Sequence, residues 1–327
     1  MANRIEWRSW ASSASLLRPG AFVMSVGLLF AFVTSGFSNV DTNIEGAAIE
    51  IDILIMVPDH GTADELLGRL QAVEHVPVLK AAQEIWSWSR GHLTSTQDGS
   101  VYSIVVGQLD AQANTPMEAI IQNAAMAWRP RYVLILGTAL AVAYDEPLGV
   151  VGLATMICGF DLDRYKKSQD AGRCHRADGG LLTAALSIAD EWEAAREKET
   201  RRVGCSPPRV LKLLALSGSR EVGPSFVDVA TKLSEDLHRG LMMERNGILV
   251  AQAVQRVRYE KRRSIGMLMI RGISEVRFPG RRREVEPAAG EQEKRRLQEK
   301  CAALDAVDFA VDLIRNRWPV STVTRNR

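Results

Sequence analysis

Several short stretches of this chain are almost continuously apolar: IDILIMV (51–57), VYSIVVG (101–107), RYVLILG (131–137), VLKLLALSG (210–218) and IGMLMIRG (265–272). Each is too short for a buried helix and lacks the alternation of a strand with one wet face. That combination marks strands covered on both faces. PLGVVGLATMI (147–157) has the same character. The segments between them read largely as helices. Thr62 and Glu65 form a capping-box pair ahead of LLGRL, Met117, Ile120, Ile121, Ala124 and Ala125 give a helical face at 115–128, and Asp178 caps LLTAALSIADEWEAA. Further helices are expected at 224–238, at 244–259 starting from Glu244, and near the C-terminus, with connectors at 196–208 and 279–290. Trp86 and Trp88 fall in a helix-like stretch and are expected to pack in a core or interface. Strands alternating with helices predict an α/β fold: a single three-layer αβα domain around a central, mostly parallel mixed sheet.

A chain of 327 residues, 46% hydrophobic and 24% charged, can bury such a core. Its formal net charge of +2 is spread among interleaved acids and bases. Nucleic acid is therefore not an expected partner. The five histidines are scattered without ligand spacing, so no metal is expected. Cys158, Cys174, Cys205 and Cys301 show no CxxC spacing and read as reduced thiols of a cytoplasmic protein. One segment disagrees with that compartment. Residues 19–40 carry no charge, are long enough to span a bilayer, and follow Arg4, Arg8 and Arg18. A membrane-anchored or exported chain is the alternative, with residues 1–45 as the hydrophobic segment and 46–320 as the domain.

In doubly wound sheets chemistry collects at the carboxyl ends of the strands. Here those ends supply Pro58 with Asp59, Gly137 with Thr138, Ser217 with Gly218, Met243 with Glu244, and Arg271 to Glu275. Taken in order, WRPRYVLILGTALAV (128–142), EPLGVV (146–151), MMERNGILVA (242–251) and RGISEVRF (271–278) resemble motifs of the purine nucleoside phosphorylase and methylthioadenosine/adenosylhomocysteine nucleosidase superfamily. The resemblance covers about residues 51–316.

It implies cleavage of the bond between a purine and ribose in a nucleoside or nucleotide, without a cofactor, by a homo-oligomer. The departing base gains negative charge while the sugar becomes cationic, so an acid and fixed carboxylates are needed. Carried over by position, Glu275 is the acid at the purine, and Glu244 accepts from the ribose hydroxyls with Met243 against the sugar. Thr138 and Ser274 stand beside the substrate. Arg271 is either a substrate contact or an ion-pair partner within the loop. Asp59 and Glu65 compete to orient the attacking water, Glu65 having its capping role as the other explanation. Ile135 and Leu136 stand before Gly137, where hexameric phosphorylases of this family would bring an arginine for phosphate. Hydrolysis is therefore the expected reaction. The chain departs from the family at Leu140 and Ala141, which replace a glycine pair, and at Val150, Ser219 and Phe278, which replace carboxylates. A member that has lost turnover and binds a nucleotide as a sensor or assembly subunit is the alternative.

Overall fold

The computed structural model describes residues 50–58, 60–76, 86–109, 117–142, 150–159, 174–203, 205, 207–218, 230, 240–277 and 289–318. The chain divides between Asn43 and Ile44. All described residues belong to the second unit. Residues 1–45 with their uncharged stretch, Asp59, the segment 279–288 and most of the helix expected at 224–238 lie outside the described set.

The apolar runs form strands as their composition requires. The strands are β1 (Ile53–Val57), β2 (Gln71–His75), β3 (Trp86–Thr94), β4 (Val101–Leu109), β5 (Tyr132–Val142), β6 (Val150–Gly159), β7 (Cys174–Arg176), β8 (Arg209–Gly218), β9 (Leu241–Arg245) and β10 (Gly266–Arg277). Helices α1 (His60–Leu67), α2 (Met117–Trp128), α3 (Gly179–Val203), α4 (Gly247–Lys261) and α5 (Ala289–Asn316) complete the described elements. The sheet runs β10-β6-β8-β9-β5-β1-β4-β3-β2, with β7 on β6.

It is a mixed sheet. The pairs β1–β4, β1–β5, β5–β10, β6–β8 and β8–β9 are parallel. The pairs β6–β10, β2–β3, β3–β4, β5–β9 and β6–β7 are antiparallel. β5 is long enough to serve two sets of neighbours: its first half lies beside β1, and its last residues, Leu140 to Val142, pair with β9. Because β10 pairs both β5 and β6, the strands β10, β6, β8, β9 and β5 close into a ring at one end of the sheet.

Two cores lie on the sheet's two faces. α2 and α4 cover one with Ile121, Ala125, Val250 and Val254 against Met56, Ile135 and Met269. α1, α3 and α5 cover the other with Leu66, Ile188, Phe309 and Leu313 against Ile55, Leu134 and Leu268. α5 comes so close to β10 that a Cβ on Gly272 would collide with the carbonyl of Ala302. No side chain fits there.

Several local expectations change. α1 starts at His60, so Thr62 lies buried inside the first turn rather than capping it from outside. The charged run 196–202 continues α3 instead of leaving it, since Arg196 pairs with Asp305 at 3.1 Å and with Asp308 at 2.6 Å on α5. Asp178 caps α3 as expected, accepting from the Leu181 N–H at 3.0 Å. Trp86 and Trp88 lie on a strand, because WSWS alternates at period two rather than 3.6. Trp88 is core, edge-on to Trp128 with ring centroids 4.7 Å apart. α4 starts at Gly247, and Glu244 belongs to β9.

The largest correction concerns the cysteines. Cys158 is bonded to Cys174 and Cys205 to Cys301, so the chain has no free thiol. The first pair follows from register, since the two residues face each other across β6 and β7. The second ties Cys205, between α3 and β8 in sequence, to α5 across 96 residues of sequence. In the chain-entropy account a loop of that size stabilises the fold by about 4–5 kcal/mol.

Gly272→Ala should lower unfolding free energy by about 1–3 kcal/mol or more, because backbone must move away from backbone. Gly290→Ala, where a Cβ on α5 meets open space, should stay within about 0.5 kcal/mol of the parent. Urea unfolding of the two variants measures the contrast.

Candidate active site

The second halves of β5 and β10 meet β9 and the end of β8. In register, Arg271 lies beside Gly137 and Gly272 beside Thr138, Ser217 beside Glu244, and Leu140 beside both Met243 and Glu275. A bulge between Ile273 and Glu275 shifts the pairing by one residue just where the acid is delivered. Glu275, Ser274, Thr138 and Leu140 are half-buried at this rim, and the Ser274 hydroxyl reaches the Ala139 carbonyl at 3.4 Å.

Beneath the rim is a buried ion pair. Arg271 is 1% exposed and Glu244 5% exposed, although both belong to residue types that are almost never buried without a partner. The guanidinium Nη2 donates to Glu244 Oε2 at 2.6 Å, and Nη1 donates to the Leu136 carbonyl at 2.7 Å. Nη1 occupies the space that a side chain at residue 137 would need. Gly137, at φ 142°, also lies against Pro58, so glycine is required there by both space and backbone. Arg271 Nε is buried with no acceptor among the described residues.

Glu244 has a second task. Asn246 precedes α4 in the left-handed conformation, at φ 70°, and its side chain caps nothing. The first N–H groups of a helix lack internal partners. Here the Gly247 N–H donates to both Glu244 oxygens, at 3.2 and 3.1 Å, and the Ile248 N–H donates to Ser217 Oγ at 2.8 Å. The Ser217 hydroxyl also hydrogen-bonds Glu244. Burial pushes the Glu244 carboxyl above the usual carboxylate range, and Arg271, Ser217 and Gly247 oppose that push.

Of the expected site residues, Thr138, Met243, Glu244, Arg271, Ser274 and Glu275 come together here. Met243 is buried among Leu216, Val142 and Leu241. Arg271 takes the ion-pair role. Glu65 is half-buried on α1, whose Ala63 and Leu66 enter the core shared with α5. Asp59 lies outside the described residues. Ser217 stands among the strand ends named from the sequence, which assigns it no role. Its signal was a hydroxyl at the end of an otherwise apolar strand.

No protein-family description matches the sequence, and no curated protein matches it. Solved structures do match in shape. A methylthioadenosine/adenosylhomocysteine nucleosidase from Colwellia psychrerythraea 34H, in complex with adenine, superposes with a TM-score of 0.58 at 13% identity over 81% of this chain and 95% of that one. The fold is that of the nucleoside phosphorylase and nucleosidase superfamily. Within the superfamily fold, the same kind of nucleosidase from Neisseria meningitidis, bound to methylthio-immucillin-A, matches at TM-score 0.55 and 14% identity, over 81% and 98% of the two chains. Futalosine hydrolase of Helicobacter pylori strain 26695 matches at 0.54 and 13%, over 81% and 97%. Among the described residues no group of three or more His, Cys, Asp or Glu is placed to hold a metal ion. No described helix is long and apolar enough to cross a membrane.

Removing the cation tests the pair. Arg271→Met leaves the carboxylate buried without a counter-charge and should cost about 3–5 kcal/mol at neutral pH. The Glu244 pKa is then raised further in the folded state, so the deficit is largest at high pH and shrinks as acidification protonates the carboxyl. Adding Glu244→Gln, which keeps an acceptor for Gly247, should restore most of the loss. Urea unfolding of the three proteins across pH measures both effects.

Proposed function

We propose that the protein is a hydrolytic N-glycosidase acting on a purine nucleoside or nucleotide, with Glu275 as the acid at the base. The observation that carries this reading is the bulge at the end of β10, which brings a half-buried carboxylate to the rim beside Thr138, Leu140 and Ser274. Protonating the leaving base from that position would remove the charge that makes the base a poor leaving group. Thr138 and Ser274 contact the sugar, and Met243 packs beneath it. Arg271 and Glu244 hold β5, β9 and β10 in mutual position, and Glu244 accepts from one ribose hydroxyl by exchanging one of its present partners. Asp59 or Glu65 orients the water. The likeness to solved nucleosidases supports the reading at the level of the fold. The reaction requires no cofactor, and the active form is a homo-oligomer.

One observation favours a second reading, a nucleotide-binding protein without turnover: the Glu244 side chain is fully enclosed and already engaged by Arg271, Gly247 and Ser217. A carboxylate in that state gives up a partner before it can clamp a ribose diol.

Incubating the purified full chain with a panel of purine nucleosides and adenine nucleotides, and separating free base chromatographically, discriminates the two. Base release that falls by about 10²–10⁴-fold in Glu275→Gln is the expected result. No base from any substrate, with ligand binding by calorimetry unaffected by Glu275→Gln, would establish the second reading instead.

A further inference from the structure

We infer that the nucleosidase-fold domain works in an oxidising compartment outside the cytosol, delivered there by residues 19–40. Two independent observations meet in this assignment, and neither depends on the reaction proposed above.

The first is covalent. The sequence holds four cysteines, and the fold pairs every one of them. The two bonds do separate jobs. β7 is only three residues long and pairs with β6 alone among the described strands, so the Cys158–Cys174 bond anchors a strand that few ladder hydrogen bonds hold. Cys158 is buried in the small core with Leu216 and Met243, while Cys174 is exposed. The Cys205–Cys301 bond fixes the approach to β8, the strand that ends in Ser217, onto α5. Thiol-reducing systems of the cytosol keep such pairs open, and bonds of this structural kind persist in secreted, periplasmic or lumenal proteins. Each bond forms when one thiolate attacks an external protein disulfide and the second thiolate displaces it. Two electrons and two protons pass to that external disulfide, which leaves as a dithiol.

The second observation is in the sequence. Residues 19–40 contain no Asp, Glu, Lys or Arg, long enough for a helical span or the apolar region of an export signal. Arg4, Arg8 and Arg18 precede the stretch, while Asp41, Glu45 and Glu50 follow it with no Lys or Arg until Arg69. That asymmetry keeps the N-terminus in the cytosol and sends the following chain across the membrane. The compartment reached in this way is the one in which the two bonds are stable. Resting on the function proposed above, the substrate of the rim at Glu275 is then a nucleoside or nucleotide present outside the cytosol.

The test uses the full chain expressed in bacterial cells, quenched with acid and treated with a maleimide–polyethylene glycol reagent before and after reduction. The expected result is no added reagent before reduction and four additions after it. In the same cells, converted to spheroplasts, external protease should digest the domain while a cytosolic marker survives. Four additions without prior reduction would overturn the inference. So would protection of the domain together with the cytosolic marker. Substituting Leu28→Arg and Leu29→Arg together should return the chain to the cytosolic fraction with alkylatable thiols. Unchanged export in that variant would remove residues 19–40 from the mechanism and overturn the assignment.

Discussion

Glu244 and Arg271 form the interaction on which the site depends. Their bond joins β9 to β10, and the second arm of the guanidinium reaches the backbone of β5. The same carboxylate caps the start of α4. Four elements are thus referred to one buried charge pair. Such pairs add little net stability compared with apolar packing, because both ions lose their hydration. Their value here is positional. A buried ion cannot exchange its partner for water, so strand ends that touch it have one arrangement.

The neighbouring residues fit that constraint. Gly137 leaves the volume that the guanidinium occupies, and Pro58 closes it from β1. Ser217 accepts from the Ile248 N–H, a task that would otherwise fall to an N-cap side chain and that the left-handed Asn246 does not perform. The rim residues Thr138, Ser274 and Glu275 are then supported from below by an arrangement with few alternatives, as sites requiring fixed geometry need.

Much of this was legible in the sequence. The apolar runs identified the central strands because covered strands show no polar face, and the order of strand ends grouped Thr138, Met243, Glu244 and Arg271 to Glu275. Elements at the margin were less legible. β2 is exposed along its whole length, and β3 alternates over too few residues to stand out from a helix. The charged end of α3 looks like a connector because its partners, Asp305 and Asp308, are more than a hundred residues away. The cysteine pairs are illegible for the same reason, since register and helix packing decide them rather than spacing. The sequence places Glu244 at a helix start; the strand runs through it, and the helix follows once Asn246 has turned the chain.

The closed ring formed by β10, β6, β8, β9 and β5 has a mechanical consequence. An open sheet can twist or part along a line between two strands, and a pocket at its end can widen by that route. A ring has no such line: separating any pair strains the other four, and β10 is further bound to α5 at Gly272 with no slack for a methyl group. Widening of the rim by parting of its strands is therefore opposed on every side, and the strands keep their spacing like the staves of a hooped cask.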